Sequence, residues 1–106
     1  MTAENLMNLL DSLTETSVYV IEEESHRLLY FNERCRNTGR GRAALGIRCD
    51  EVWPELCANC PIKMLGDRVS NHMVCYDPLL KLTVDVTANR INWEGRVPAV
   101  VITAAP

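Results

Sequence analysis

Between residues 80 and 88 the chain alternates without a break. Leu80, Leu82, Val84, Val86 and Ala88 are apolar, and Lys81, Thr83, Asp85 and Thr87 between them are polar. Side chains along a strand point to opposite faces in turn, so this pattern paints one face for a core and the other for water. Such a strand belongs to an antiparallel sheet packed on one side. The apolar parity then changes, because Ile91 and Trp93 are odd-numbered. A β-bulge near Asn89-Arg90 is expected to absorb that change. Glu94-Gly95-Arg96 reads as a turn, and "VPAVVITA", 97–104, as the closing strand.

The rest of the chain completes a sheet. "SNHMVCY", 70–76, alternates and stops at Asp77-Pro78, while "TSVYVIE", 16–22, and "RLLYF", 27–31, read as a hairpin around an acidic turn. Asn32 stands where an N-cap would, before a helical turn in "ERCR". Glycines 39, 41 and 46 break up the middle into loops and short helices. Pro61 is placed to open a helix over 60–68. At the start, "AENLMNLLDSL", 3–13, carries Leu6, Leu10 and Leu13 at helical spacing. The expected fold class is α+β, a five-stranded antiparallel sheet with short helices on one face and an N-terminal amphipathic helix. At 106 residues the chain reads as one domain, 1–106, with a core over 16–104.

Several function classes recede on composition. No apolar run approaches the roughly 20 residues that cross a bilayer. The N-terminus has acids and no basic region, unlike a signal peptide, so a cytoplasmic location is expected. A net charge of −3 argues against nucleic acid as a partner. Arg34, Arg36, Arg40, Arg42 and Arg48 form a local basic stretch, but "GRGR" lacks the Lys-Ser/Thr of a phosphate loop.

The densest chemistry is "CDEVWPELCANCPI", 49–62, where Cys49, Cys57 and Cys60 fall at C-x7-C-x2-C spacing. Thiolates so spaced suit zinc or an iron–sulfur cluster, with Cys75, His72 or Cys35 as a fourth ligand. A redox pair is the second reading: Cys60 at a helix N-terminus would have a lowered pKa, and a bridge from Cys49 would tie two segments together. Buried sulfur with no chemistry is the third. Five cysteines cannot all pair within one chain, and in a reducing compartment they begin as thiols. Tyr30, Phe31, Trp53, Tyr76 and Trp93 are candidates to line a pocket, or simply to form the core. A Cys nucleophile would need a nearby His, and none is local, so no enzyme is expected.

The order of elements resembles a PAS domain over nearly the whole chain. "LLYFNERC" is similar to the segment where a PAS second strand ends in Asn and enters a short helix. "LLKLTVDVTANRINWEGRVPAVVITA" resembles the last two PAS strands, and "GIRCDEVWPELCANCPI" a C-x-x-C-P variant. That variant occurs in bacterial modules attached to cyclic di-GMP cyclases or phosphodiesterases and to sensor kinases. The chain departs from them in ending "ITAAP" where a "D-I-T" usually leads to a linker helix.

The resemblance implies a sensory or dimerisation module of a bacterial signal-transduction protein. It would bind a small ligand, or sense redox or metal state near Cys49, Cys57 and Cys60. It implies a homodimer through Leu6, Leu10 and Leu13, and an effector domain in the same or a partner chain. The alternative is a ligand-free interaction module that sets dimer geometry. "G-I-R-C-D-E-V-W" lacks the residues of a flavin photoadduct motif, and neither His26 nor His72 matches a haem-binding PAS position. Flavin and haem are therefore not expected.

Overall fold

In a computed structural model of the chain, residues 16–36 and 43–106 are described. The proposed helix over 3–13, with Leu6, Leu10 and Leu13, lies outside them. Five strands form one sheet: β1 Ser17–Glu22, β2 Leu28–Phe31, β3 Ser70–Asp77, β4 Leu82–Trp93 and β5 Val97–Ala105. Their spatial order is β2-β1-β5-β4-β3, with every neighbouring pair antiparallel. Among the described residues, four short helical pieces lie between β2 and β3. They are α1 Glu33–Arg36, α2 Cys49–Val52, a 3-10 helix Pro54–Asn59 and α3 Pro61–Leu65.

The sheet face under these helices carries the main core. Tyr19 and Ile21 of β1, Val84, Val86 and Ala88 of β4, and Val100 and Ile102 of β5 pack there with Trp53 and Leu65. The alternation of β4 thus places its residues as its sequence demands. The strand begins at Leu82, not Leu80, because Asp77 caps the connecting turn. Its Oδ1 accepts from the backbone N–H of Leu79 at 2.8 Å and of Leu80 at 3.1 Å. An Asp side chain that bonds backbone two residues on favours turn over strand.

The expected bulge at Asn89-Arg90 does not form. β4 pairs in unbroken register with β5 from Asp85 to Trp93, and with β3 as far as Asn89. The parity change has another cause. Arg90 stays on the helical face, where its guanidinium bonds Glu23 and the backbone carbonyls of Arg68 and Gly66 at the end of α3. Ile91 and Trp93 face the other side and join a second apolar cluster with Val20, Tyr30 and Ala99. The irregular register lies instead between β1 and β2, at Val20/Ile21.

Helix and turn ends follow from local chemistry. The residue before a proline is kept out of the helical region. Trp53, at φ −132° and ψ 68°, ends α2 before Pro54. Gly66 at φ 57° and ψ −128° stops α3 after Leu65, short of the expected 68, because that backbone is nearly closed to other residues. Among the described residues no helix is long and apolar enough to cross a membrane.

Asn32 is fully buried and joins three segments. Its Oδ1 accepts from Val18 N–H at 3.1 Å and from Cys35 N–H at 3.2 Å, and its Nδ2 donates to Thr16 O at 2.8 Å. The chain turns into α1 here, so the side-chain amide replaces a backbone carbonyl that can no longer face β1. Asn32→Ala leaves two buried donors and a carbonyl without partners. It should lower unfolding free energy by about 2–4 kcal/mol, summing a lost cap and unmade bonds. Urea titration reads this; a loss below about 0.5 kcal/mol would show that water replaces the amide.

Candidate functional site

Between the helical pieces and the sheet lies a cleft of about 620 Å³, counted to its open mouth. Val84, Val86 and Ala104 of the sheet form its floor, with Met73 and Cys75 of β3 beside them. Tyr19 and Ser17 come from β1 and Cys35 from α1, while Trp53, Glu55, Leu56 and Pro61 line it from the helical side. Asp77, Pro78 and Leu79 complete the lining at the β3–β4 turn.

A second, smaller cleft of about 310 Å³, likewise counted to its open mouth, lies against the first. Tyr19, Trp53, Leu56 and Pro61 line both. The Tyr19 and Trp53 rings meet at 5.0 Å between centroids and 58° between planes, a tilted contact of the kind aromatic pairs favour. Trp53 is 3% exposed, and its indole N–H is buried with no acceptor in reach. The second cavity also holds Cys49, Cys57 and Cys60. The spacing of these three thiols therefore does bring them to one place, next to the cleft but behind its aromatic wall.

The thiols differ in environment. Burial pushes Cys49 up to about 11, with charge at Cys60, Asp50 and Cys57 adding. Burial pushes Cys35 up to about 12, against hydrogen bonding with Ser17, Val18 and Asn32 that acts the other way. Cys75 is raised by burial and then by Asp77. The Tyr19 hydroxyl is raised well above its ordinary value, first by burial and then by charge at Cys35, Cys49 and Asp77. Cys57 is exposed, and Cys60 is half-buried at the N-cap of α3. All five cysteines are free thiols.

The expected metal set does not assemble around them. Among the described residues no three His, Cys, Asp or Glu side chains stand close enough to hold an ion. Cys75 lines the large cleft, not the thiol cavity. His72 is exposed and pairs with Asp85 across β3 and β4 at 3.0 Å, on the sheet face away from the helices. Cys35 bonds Val18 O at 3.4 Å beneath α1. The described residues, as placed, do not form a zinc or iron–sulfur site.

Of the five aromatic candidates, Trp53 lines the cleft with its ring, while Tyr76 borders it from β3 but pairs with Thr83 and faces the other side, 58% exposed. Tyr30 and Trp93 pack together on the opposite sheet face, 6.0 Å between centroids. Phe31 lies under the Arg36 guanidinium at 5.6 Å. Tyr19, Met73, Glu55 and Asp77 are lining residues that the aromatic criterion passed over. Parity was the signal for Tyr19 and Met73: one shares a face with Ile21, the other with Cys75. Arg48 is engaged by both carboxylate oxygens of Asp50, at 3.0 and 3.1 Å, and Arg40 and Arg42 lie outside the described residues.

These environments order the thiols by reactivity, since thiolate is the nucleophile. At pH 7 a maleimide should label Cys57 first and Cys35 only on unfolding. Cys49, with its raised value, is protonated at neutral pH, and its labelling rate should climb about tenfold per pH unit towards its value near 11. Mass spectrometry of timed digests reads the order. Equal rates for Cys49 and Cys57 at pH 7 would overturn it.

No protein-family model matches the sequence, and no curated protein is similar to it in sequence. Solved structures are similar in fold. The PAS domain of BvgS from Bordetella pertussis aligns at TM-score 0.69 and 19% identity, over 96% of this chain and 83% of that one. A sensory box sensor histidine kinase from Vibrio cholerae aligns at 0.61 and 19%, over 95% of this chain and 85% of the other. The PAS domain of nitrogen regulation protein NR(II) from Vibrio parahaemolyticus aligns at 0.56 and 11%, over 95% and 97%. With its β2-β1-β5-β4-β3 sheet and its helical pieces between β2 and β3, this chain has the PAS fold.

Proposed function

We propose that this domain is the input module of a signal-transduction protein, reading a small molecule held in the cleft. One observation carries the reading: the space between sheet and helices is an apolar cleft with a few polar groups, open at one end. The structural neighbour named as a sensory box sensor histidine kinase supports the signalling role by analogy of fold. Occupancy would be felt by Trp53 and the short helices above the sheet and passed to a second copy and an effector domain. The leucine stripe Leu6, Leu10 and Leu13 is the proposed dimer contact. Five free thiols suit a cytoplasmic, reducing setting. The reading assigns no catalysis, and no histidine lines the cleft to activate its thiols.

A second reading has its own observation, the three thiols gathered in the smaller cavity. Oxidation there would act on Trp53 from the other side. The high value of Cys49 makes it a poor attacking thiol, so ligand binding is the leading reading.

Thermal shift against a small-molecule library tests it. Compounds that bind should raise Tm by several degrees, and Met73→Trp, which fills the cleft from β3, should abolish the shift. Analytical ultracentrifugation of the same samples should show a dimer that Leu6→Asp/Leu10→Asp converts to monomer. A library with no shift beside an intact dimer would favour the ligand-free interaction module.

A further inference from the structure

We propose that the smaller cleft is a covalent site for neutral, apolar electrophiles, compounds whose carbon–carbon double bond is conjugated to a carbonyl, with Cys57 as the attacking thiol. The proposal goes beyond the reading of the larger cleft as a ligand site and stands or falls apart from it. Three thiols and an apolar wall meet here: Cys49, Cys57 and Cys60 share the lining with Ile21, Leu56, Ile62 and Ile102. Ile21 and Ile102 are buried residues of β1 and β5, and Leu56 and Ile62 pack onto the same core from the helical side. Cys60 and Cys57 stand close enough to Cys49 to act on its thiol through charge.

The two parts of the lining select for two properties. An apolar wall holds a carbon-rich body by removing its surface from water. A thiolate supplies a nucleophile for an electron-poor carbon on that body. Access then divides the thiols. Cys57 is exposed and Cys60 is half-buried, while burial keeps the proton on Cys49. Cys57 can therefore lose its proton to water at the rim while the body lies on the wall.

The step balances without an oxidant or a reductant. The Cys57 sulfur gives its proton to water and attacks the carbon β to the carbonyl. A C–S bond forms, and the π pair of the double bond moves to the carbonyl oxygen as an enolate. Water returns a proton to the α-carbon, so the net change is addition of S–H across the double bond. A disulfide from Cys49 would need an oxidant and a thiol whose proton is hard to remove. The adduct's body would lie against Tyr19 and Trp53, which line this cleft too.

Two probes with one reacting alkene and different bodies test this, N-benzylmaleimide and N-(2-hydroxyethyl)maleimide. Mass spectrometry of timed digests of the 106-residue chain gives each rate at each cysteine, divided by the rate with glutathione. After that division Cys57 should favour the benzyl body by about tenfold, and its rate should saturate with concentration. N-benzylsuccinimide, the same body without the double bond, should slow the benzyl probe alone. Ile62→Asn should remove the preference and leave the hydroxyethyl rate unchanged. If that variant does not fold, the succinimide competition decides. Met73→Trp, which fills the larger cleft, should leave the preference intact; its loss there would assign the body to that cleft and overturn the proposal. So would a Cys57 preference no greater than glutathione's, or one carried by another cysteine. Neither of those outcomes touches the Tm shifts that test the larger cleft.

Discussion

The amide of Asn32 holds the arrangement on which the site depends. At this residue the chain stops being a strand and becomes a helix, and a change of element normally strands backbone groups. One side chain meets three of them: Val18 N–H in β1, Cys35 N–H in α1 and Thr16 O ahead of β1. The backbone N–H of Asn32 also bonds Val18 O at 2.9 Å, which continues the β1–β2 ladder by one step. Because α1 is anchored to β1 in this way, Cys35 is buried against Val18 and forms one wall of the cleft. A helix of four residues has no stability of its own. Its place is fixed by the cap and by burial, so the wall is only as firm as that amide.

A second tie operates at the far end of the helical layer. Arg90 projects from β4 to the carbonyls that end α3 and to Glu23 in the β1–β2 turn. A guanidinium offers several donors in a fixed plane, which suits gathering acceptors from separate segments. This explains how one strand serves two faces. Val84, Val86 and Ala88 feed the core beneath the helices, and beyond them Arg90 takes the same face with a polar contact. Ile91 and Trp93 are thereby free to build the cluster around Val20, which is itself fully buried.

The sheet was legible because period-two patterning depends on the residues themselves. Strands 70–77, 82–93 and 97–105 lie close to where alternation places them, and Asn32 caps where an Asn before a short helix should. The bulge was misread because alternation reports which residues are apolar, not which of two cores they enter. A change of face and a change of register look alike in one sequence. The site was legible in part. Spacing gathered Cys49, Cys57 and Cys60 but could not show that Cys75 and His72 sit elsewhere, since that depends on β3 pairing with β4. Tyr30 and Trp93 were candidates by ring type, yet facing decides lining, and both face away. Asp77 showed only as a turn residue, and its place at the cleft follows from where the turn lies.

The aromatic wall connects the two chemistries of this domain. Tyr19 and Trp53 separate the larger open cleft from a smaller one edged by three thiols. Packed interiors transmit displacement because they have little free volume, but here each face of the wall borders empty space. A ring pair in that setting has somewhere to move. Trp53 also carries a buried N–H without an acceptor, so its present position is not held by a hydrogen bond at that atom. It is held by the tilted contact with Tyr19, by the bond from the Trp53 backbone N–H to Cys49 O at 2.8 Å and by the proline that follows. The backbone of the wall is fixed while its indole is restrained mainly by packing. Anything that fills one cavity changes the packing on that side, and the cost of any response falls on the residues lining the other. Were the proposed ligand and a change at the thiols both to act on this wall, linkage would make their coupling through Trp53 equal in both directions.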